Sequence, residues 1–214
     1  MHPYATDSSE RRTIPIGLAV VAVVSAWQLP KVVEYLQLQA LLWWADLPAV
    51  WGFYLLYWGI FEKWLWTWSL FRFIRLVRVP DLRGEWVGQG VSSYDDGGGK
   101  PTPYDMRLTI RQEWTRCSVQ METGHSRSDS TIAAVLVAHG GRPRLSYEYQ
   151  NQPGAHAEGT MHAHPGMTRL EMIDETHLEG EYYTGRDRRS YGTMSLTKRA
   201  ARGSHGRRPQ SRRA

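Results

Sequence analysis

Two uncharged stretches, Thr13 to Pro30 (TIPIGLAVVAVVSAWQLP) and Leu47 to Phe61 (LPAVWGFYLLYWGIF), dominate the first third of the chain. Each is shorter than the roughly 20 residues that cross about 30 Å of hydrocarbon, so spans built on them must borrow flanking residues or thin the bilayer. From Asp81 onward the pattern changes to strict alternation between clusters of turn-forming residues, which predicts short antiparallel strands. MRLTIRQEW is the clearest case: Met106, Leu108, Ile110, Gln112 and Trp114 share one face, and Arg107, Thr109, Arg111 and Glu113 the other. Further strands are predicted over 82–91, 117–123, 131–138, 144–149, 158–164, 168–173, 178–184 and 191–198. Breaks between them are expected at 95–99, 139–142, 152–154, 165–166 and 174–176. Eight or nine strands in about 120 residues suffice to close a small barrel with room for one ligand.

The predicted fold is therefore a membrane α-helical hairpin plus an all-β domain, an antiparallel lipocalin-like β-barrel. Its parts are an N-terminal segment (1–12), a two-transmembrane hairpin (13–79), a β-barrel (80–198) and a disordered basic tail (199–214). Tryptophan supports the hairpin, since nine of the ten tryptophans precede Gly88 and five of them, Trp43, Trp44, Trp64, Trp66 and Trp68, flank the second run. Indole rings favour the headgroup region. Arg11 and Arg12 before the first run, and Arg72, Arg75 and Arg78 after the second, place both termini and the barrel on the cytoplasmic side of the membrane. Residues 31–46 are apolar enough to lie in the outer interface as a short helix. Two rival readings of this region are a cleaved secretory signal ending near Val24-Ser25-Ala26, and buried helices of a soluble protein.

The formal net charge is +5, but six arginines and one lysine fall within 198–213 and residues 81–197 are nearly balanced. The basic excess thus belongs to the tail, and no DNA or RNA polymer is expected as a partner. One cysteine, Cys117, rules out an intrachain disulfide or a cysteine-rich metal site.

Inward parity supplies the candidate site. Leu145, Tyr147, Tyr149 and Asn151 share a face, and so, with LEGEYYTGRDRR read as a strand, do Leu178, Gly180, Tyr182, Thr184, Arg186 and Arg188. Both series run from aliphatic to phenol to amide or guanidinium, as in a cavity with an apolar floor and a polar mouth. Arg186 is assigned to a phosphate, Thr184 to a supporting hydrogen bond, Tyr147, Tyr149 and Tyr182 to base stacking, and Asn151 to a base edge. The competing role for Arg186 and Arg188 is structural: a Gly-x-Trp strand such as Gly84-Glu85-Trp86 often closes a lipocalin-type barrel with its indole beneath an arginine from the last strands.

Other motifs carry no chemistry. His156, His162 and His164 lack companion ligands at metal spacing, DDGGGK lacks the second half of a phosphate loop, and no Ser, His and Asp triad assembles. No catalytic activity, metal or cofactor is expected.

The two short spans, FEKWLWTWSLFRFIRLVRVPDLRGEWVGQ, IRQEW, LSYEYQNQP, MHAHPGMTRLEM and LEGEYYTGRDRRSYG together resemble the two-transmembrane, β-strand-rich effectors of CBASS antiphage defence, which are associated with bacterial cGAS-like nucleotidyltransferases. The resemblance covers about 13–198 and is most specific at PDLRGEW and YYTGR. It implies an antiviral effector that binds a cyclic dinucleotide in its barrel, forms a homo-oligomer and disrupts the inner membrane, causing abortive infection. The alternative from a different class is a membrane-tethered carrier or sensor of an apolar ligand such as a lipid or haem.

Overall fold

The computed structural model describes residues 1–36, 46–94, 101–137, 140–154, 162–186 and 188–200. The chain begins with strand β1 (His2–Thr6), enters helix α1 (Glu10–Tyr35), and continues through α2 (Asp46–Lys63), a 3-10 turn (Leu65–Thr67) and the short α3 (Ser69–Phe73). Eight strands follow: β2 (Gly84–Ser92), β3 (Thr102–Gln112), β4 (Arg116–Thr123), β5 (Ser126–Leu136), β6 (Arg144–Pro153), β7 (His164–Met172), β8 (His177–Thr184) and β9 (Tyr191–Lys198). They form one sheet in the order β1-β4-β3-β2-β9-β8-β7-β6-β5, and β5 returns to both β1 and β4, so the order closes on itself.

Alternation builds this sheet. Inward residues Trp86, Leu108, Leu170 and Leu196 are fully buried, with Ile110, Val119, Leu145 and Leu178 beside them. Trp86 Nε1 donates to the Leu82 carbonyl (3.0 Å), and the Lys198 ammonium lies 5.1 Å from its ring centre. The cation over this indole is therefore a lysine of β9. Trp86 pairs with Lys198, whereas Arg186 and Arg188 follow the opposite end of the β8–β9 pair, at Tyr183 and Tyr191. The competing plug role for those arginines does not fit this register.

A second core joins the sheet to the helices. Trp114, just past β3, is fully buried among Ile14, Phe61, Trp66 and Val77. Its Nε1 donates to Glu10 Oε1 (3.2 Å), its backbone N–H donates to the Glu62 carbonyl (3.1 Å), and its own carbonyl accepts the Tyr4 hydroxyl (2.7 Å). The Arg11 guanidinium lies 4.7 Å above its ring centre. Glu62 also accepts hydrogen bonds from the backbone N–H and hydroxyl of Thr115.

Three local expectations change. His2–Thr6, to which alternation assigned no strand, pairs antiparallel with β4 and parallel with β5. The predicted break at Pro165-Gly166 lies inside β7. A residue's nitrogen and carbonyl face the same neighbour, so the donor that proline lacks falls where β8 has already ended. There the Pro165 carbonyl accepts the Gly185 N–H (3.0 Å). The β5 strand begins five residues earlier than predicted, at Ser126. Most of the helix expected over 31–46, the break at 95–99, residues 158–161 of another predicted strand, His156 and nearly all of the tail lie outside the described residues.

Helix α1 is long and apolar enough to cross a membrane, and is the one such helix among the described residues. Its Ile16, Val20, Val23 and Val24 side chains are exposed. It packs against α2, where Ser25 Oγ and the Tyr57 hydroxyl are 2.8 Å apart.

Candidate ligand site at the tyrosine end of the sheet

The inner surface changes character along the strands. Beyond the aliphatic layer stand Tyr104 on β3, Tyr147 and Tyr149 on β6 and Tyr182 on β8, the β6 pair buried and the other two partly buried, all packed on the same core. Ring centres lie 6.2 Å apart for Tyr147 and Tyr149 and 6.3 Å apart for Tyr104 and Tyr182, the latter edge to face. Beyond them come Asn151, His164, Thr184 and Ser128. Thr184 Oγ1 accepts the Ser190 N–H (2.9 Å), closing the turn between β8 and β9, and the Tyr182 hydroxyl donates to Ser92 Oγ (2.7 Å).

Glycine seats these rings. Tyr149 pairs across β6–β7 with Gly166, and Tyr182 across β8–β9 with Gly192. A Cβ at either glycine would overlap the tyrosine ring opposite. Each phenol therefore lies down over its cross-strand glycine, the arrangement by which an aromatic side chain covers backbone that glycine leaves bare.

The end is polar and incompletely paired. The buried Ser128 Oγ, Tyr147 hydroxyl and Thr168 Oγ1 make no hydrogen bond of good geometry among the described residues. Leaving such groups unsatisfied costs about 1–3 kcal/mol each, so they are poised to accept or donate to a polar guest. Burial pushes the Tyr147 phenol up to about 12, with Thr168 beside it pulling the other way. Burial raises Tyr104 and Tyr149 further, each reinforced by neighbouring tyrosines. Tyr4, at the junction, rises from 10.0 to about 12 for the same cause.

A folded phenol that ionises later than its unfolded counterpart binds more protons than the unfolded chain between the two pKa values. Its stabilising contribution is complete below pH 10 and is lost as pH climbs towards 12. Denaturant midpoints measured at stepwise alkaline pH should fall across that window, with tyrosinate absorbance of the buried rings rising together with loss of the β-sheet circular dichroism signal.

The parity argument holds on β6, where Tyr147, Tyr149 and Asn151 all face inward and are buried, and on β8 as far as Tyr182 and Thr184. It fails beyond. β8 ends at Thr184, and Arg186 stands exposed in the following turn, where its carbonyl accepts Arg189 Nε (3.2 Å). The expectation that Arg186 continues the inward face is corrected, because the chain turns at Gly185. Arg188 is the arginine that turns back: its guanidinium lies 5.0 Å from the Tyr94 ring centre and holds the neighbouring Tyr149 and His164 pKa values down, although burial dominates both shifts. Tyr104 and Ser128 were not singled out from the sequence as part of the site, and Arg188 was placed on the inward face without being assigned a ligand contact. Extending the alternation of Met106 and Leu108 back by two residues would have found Tyr104.

Two grooves, of about 370 and 660 Å³, open on the sheet, and Tyr147, Gly166 and Thr184 of the tyrosine end also line the first. The first runs over Ile132, Met167 and Tyr183, the second over Arg144, Arg169 and Glu181.

Residues 77–198 match the family model described as Cap15, cyclic dinucleotide receptor domain. Two curated proteins named CD-NTase-associated protein 15 are similar to the chain. The one from Yersinia aleksiciae is 30% identical over 148 residues, 69% of this chain and 68% of that protein. The one from Staphylococcus schleiferi is 27% identical over 138 residues, 64% of this chain and 70% of that protein. Among solved structures, a DUF3598-family protein of unknown function from Nostoc punctiforme PCC 73102 aligns with a TM-score of 0.32 and 16% identity, covering 55% of this chain and 47% of that one.

Proposed function

Because the chain belongs to the Cap15 family of CBASS effectors, we propose that the tyrosine end of its sheet binds a cyclic dinucleotide and that binding drives assembly and disruption of the inner membrane, halting phage spread. The observation that carries the nucleotide reading is the cluster of four tyrosines, with the Tyr147 and Thr168 hydroxyls facing each other and the buried Ser128 hydroxyl making no hydrogen bond among the described residues. Bases stack on phenol faces, base edges meet Asn151 and the Ser128 hydroxyl, and an arginine of the 185–190 turn meets a phosphate. Arg188 is better placed for that contact than Arg186. A lipid or haem carrier would gain nothing from buried hydroxyls left unpaired.

Connectivity supports the two-span topology. β1 and β2 lie in one sheet, on either side of the helical segment. If α1 crosses a bilayer, the chain must cross back before β2, and α2 with its flanks is the apolar segment available. A lipocalin-like barrel held under the inner leaflet by a hairpin, with both termini cytoplasmic, follows from that return. The nucleotide must also bind the assembled form more tightly than the resting form, or it shifts no equilibrium.

Calorimetric titration of full-length protein in detergent with a panel of cyclic dinucleotides tests the reading. One of them should bind. Arg188→Gln should weaken it by about 10- to 100-fold, the worth of one charged hydrogen bond, with Arg186→Gln having the smaller effect. No binding by any member, or equal affinity in Arg188→Gln and wild type, contradicts the reading.

A further inference from the structure

Between the end of α2 and the barrel, Trp64 to Leu76 has two faces that are both apolar. One packs inward: Trp66 is fully buried and Phe71 lies against Phe61, ring centres 6.1 Å apart. The other is bare. Trp64, Trp68, Leu70, Phe73, Ile74 and Leu76 are all exposed, Phe73 at 84%. On the sheet, by contrast, the exposed large apolar residues are spread over four strands, with no more than two on any one of them among the described residues. A soluble surface does not present six within thirteen residues without a partner.

Charge on the same segment indicates which partner. Arg72, Arg75 and Arg78 interleave with the exposed apolar row, with no acidic residue from 64 to 80. Nε and Nη2 of Arg72 are covered and make no hydrogen bond among the described residues. Arg75 holds φ at 55°, closing α3 with the Leu76 and Val77 N–H groups both on the Phe71 carbonyl. That left-handed position favours glycine, and a side chain there is strained. An arginine kept in it signals a use for its charge. Trp51, Leu55 and Leu56 of the preceding α2 are exposed as well.

We infer that residues 64–78 form an in-plane membrane foot, seated in the headgroup layer of the cytoplasmic leaflet, with its indole, phenyl and aliphatic groups dipped towards the acyl chains and its arginines on anionic lipid phosphates. The foot fixes the height of the barrel beneath the bilayer. This rests on the two-span reading but not on nucleotide binding.

The test uses the full chain in vesicles of phosphatidylethanolamine and phosphatidylglycerol, with an environment-sensitive dye on Phe73→Cys or, as the aqueous reference, on Ile132→Cys, which is 62% exposed on the barrel. Cys117 is buried and escapes labelling under native conditions. The dye at 73 should be quenched by lipid-borne nitroxide and shielded from iodide, with the reverse at 132. Equal iodide quenching at both sites overturns the foot. So does shielding at 73 without lipid quenching, which marks a protein contact. Loss of the chain from vesicles in alkaline carbonate would instead remove the two-span reading beneath it. Arg75→Gly provides the charge arm: it should raise the melting temperature by relieving the strained φ, yet cut the enrichment of phosphatidylglycerol around the extracted protein by roughly fivefold. Unchanged enrichment overturns the headgroup contact.

Discussion

Full-length protein carrying Trp114→Ala is expected to lose about 3–5 kcal/mol of stability, the range for truncating a fully buried tryptophan, which would show as a large fall in the denaturant midpoint of the β-sheet signal. Trp114 stands where three parts of the chain meet. Its ring packs edge to face on Phe61 and Trp58, with centres 5.0 and 5.6 Å away. Removing it opens a cavity between helices and sheet and also takes the indole N–H from Glu10. That carboxylate still accepts Ser8 Oγ and the Arg78 N–H, so the electrostatic loss is partial and the cavity dominates. Trp114→Phe separates the two terms. It retains most of the packing and loses the hydrogen bond with a smaller part of the ring, so its cost should be about 1–3 kcal/mol. If Trp114→Ala and Trp114→Phe cost the same, the packing account of this junction is wrong.

This junction was only half legible in the sequence. Alternation placed Trp114 on the inward face with Ile110 and Gln112, and inward it is, but into the helices: β3 ends at Gln112, and the chain carries the indole out of the barrel core into a second one. Periodicity reports which face a residue belongs to and not where a strand stops. The same limit explains Arg186, where the phase was right up to Thr184 and the turn at Gly185 cancelled it. β6 succeeded because its ten residues keep one phase from Arg144 to Pro153, so Leu145, Tyr147, Tyr149 and Asn151 could be read directly. β1 was invisible for a different reason. HPYAT is too short to show alternation, and its place in the sheet comes from pairing with β4 and β5, more than a hundred residues away. Lys198 over Trp86 was missed because a Gly-x-Trp strand suggests a cation above the indole without saying which one.

The second large effect is expected at a residue with no side chain. Gly166→Ala adds one methyl beneath Tyr149, where the new Cβ overlaps the phenol ring. The ring is the movable partner, since the glycine backbone is fixed in the ladder opposite Tyr149 and beside Thr184. Tyr149 must therefore lift off its seat towards the cup that Tyr104, Tyr147 and Tyr182 enclose. Overpacking of this kind costs about 1–3 kcal/mol in stability. At the proposed nucleotide site the functional cost should be larger in proportion, because there a displaced ring would both remove a stacking face, worth about 1–3 kcal/mol, and occupy ligand volume. Cyclic dinucleotide affinity of Gly166→Ala is thus expected to fall at least tenfold while its circular dichroism spectrum remains that of the folded sheet. Adding Tyr149→Ala to Gly166→Ala relieves the overlap, so the double variant should regain stability relative to the sum of the single changes without regaining affinity. Coupling in stability between residues in contact is what a double-mutant cycle measures. Additive stabilities would mean that the ring does not rest on the glycine, and affinity restored in the double variant would mean that Tyr149 obstructs the nucleotide when displaced but does not hold it.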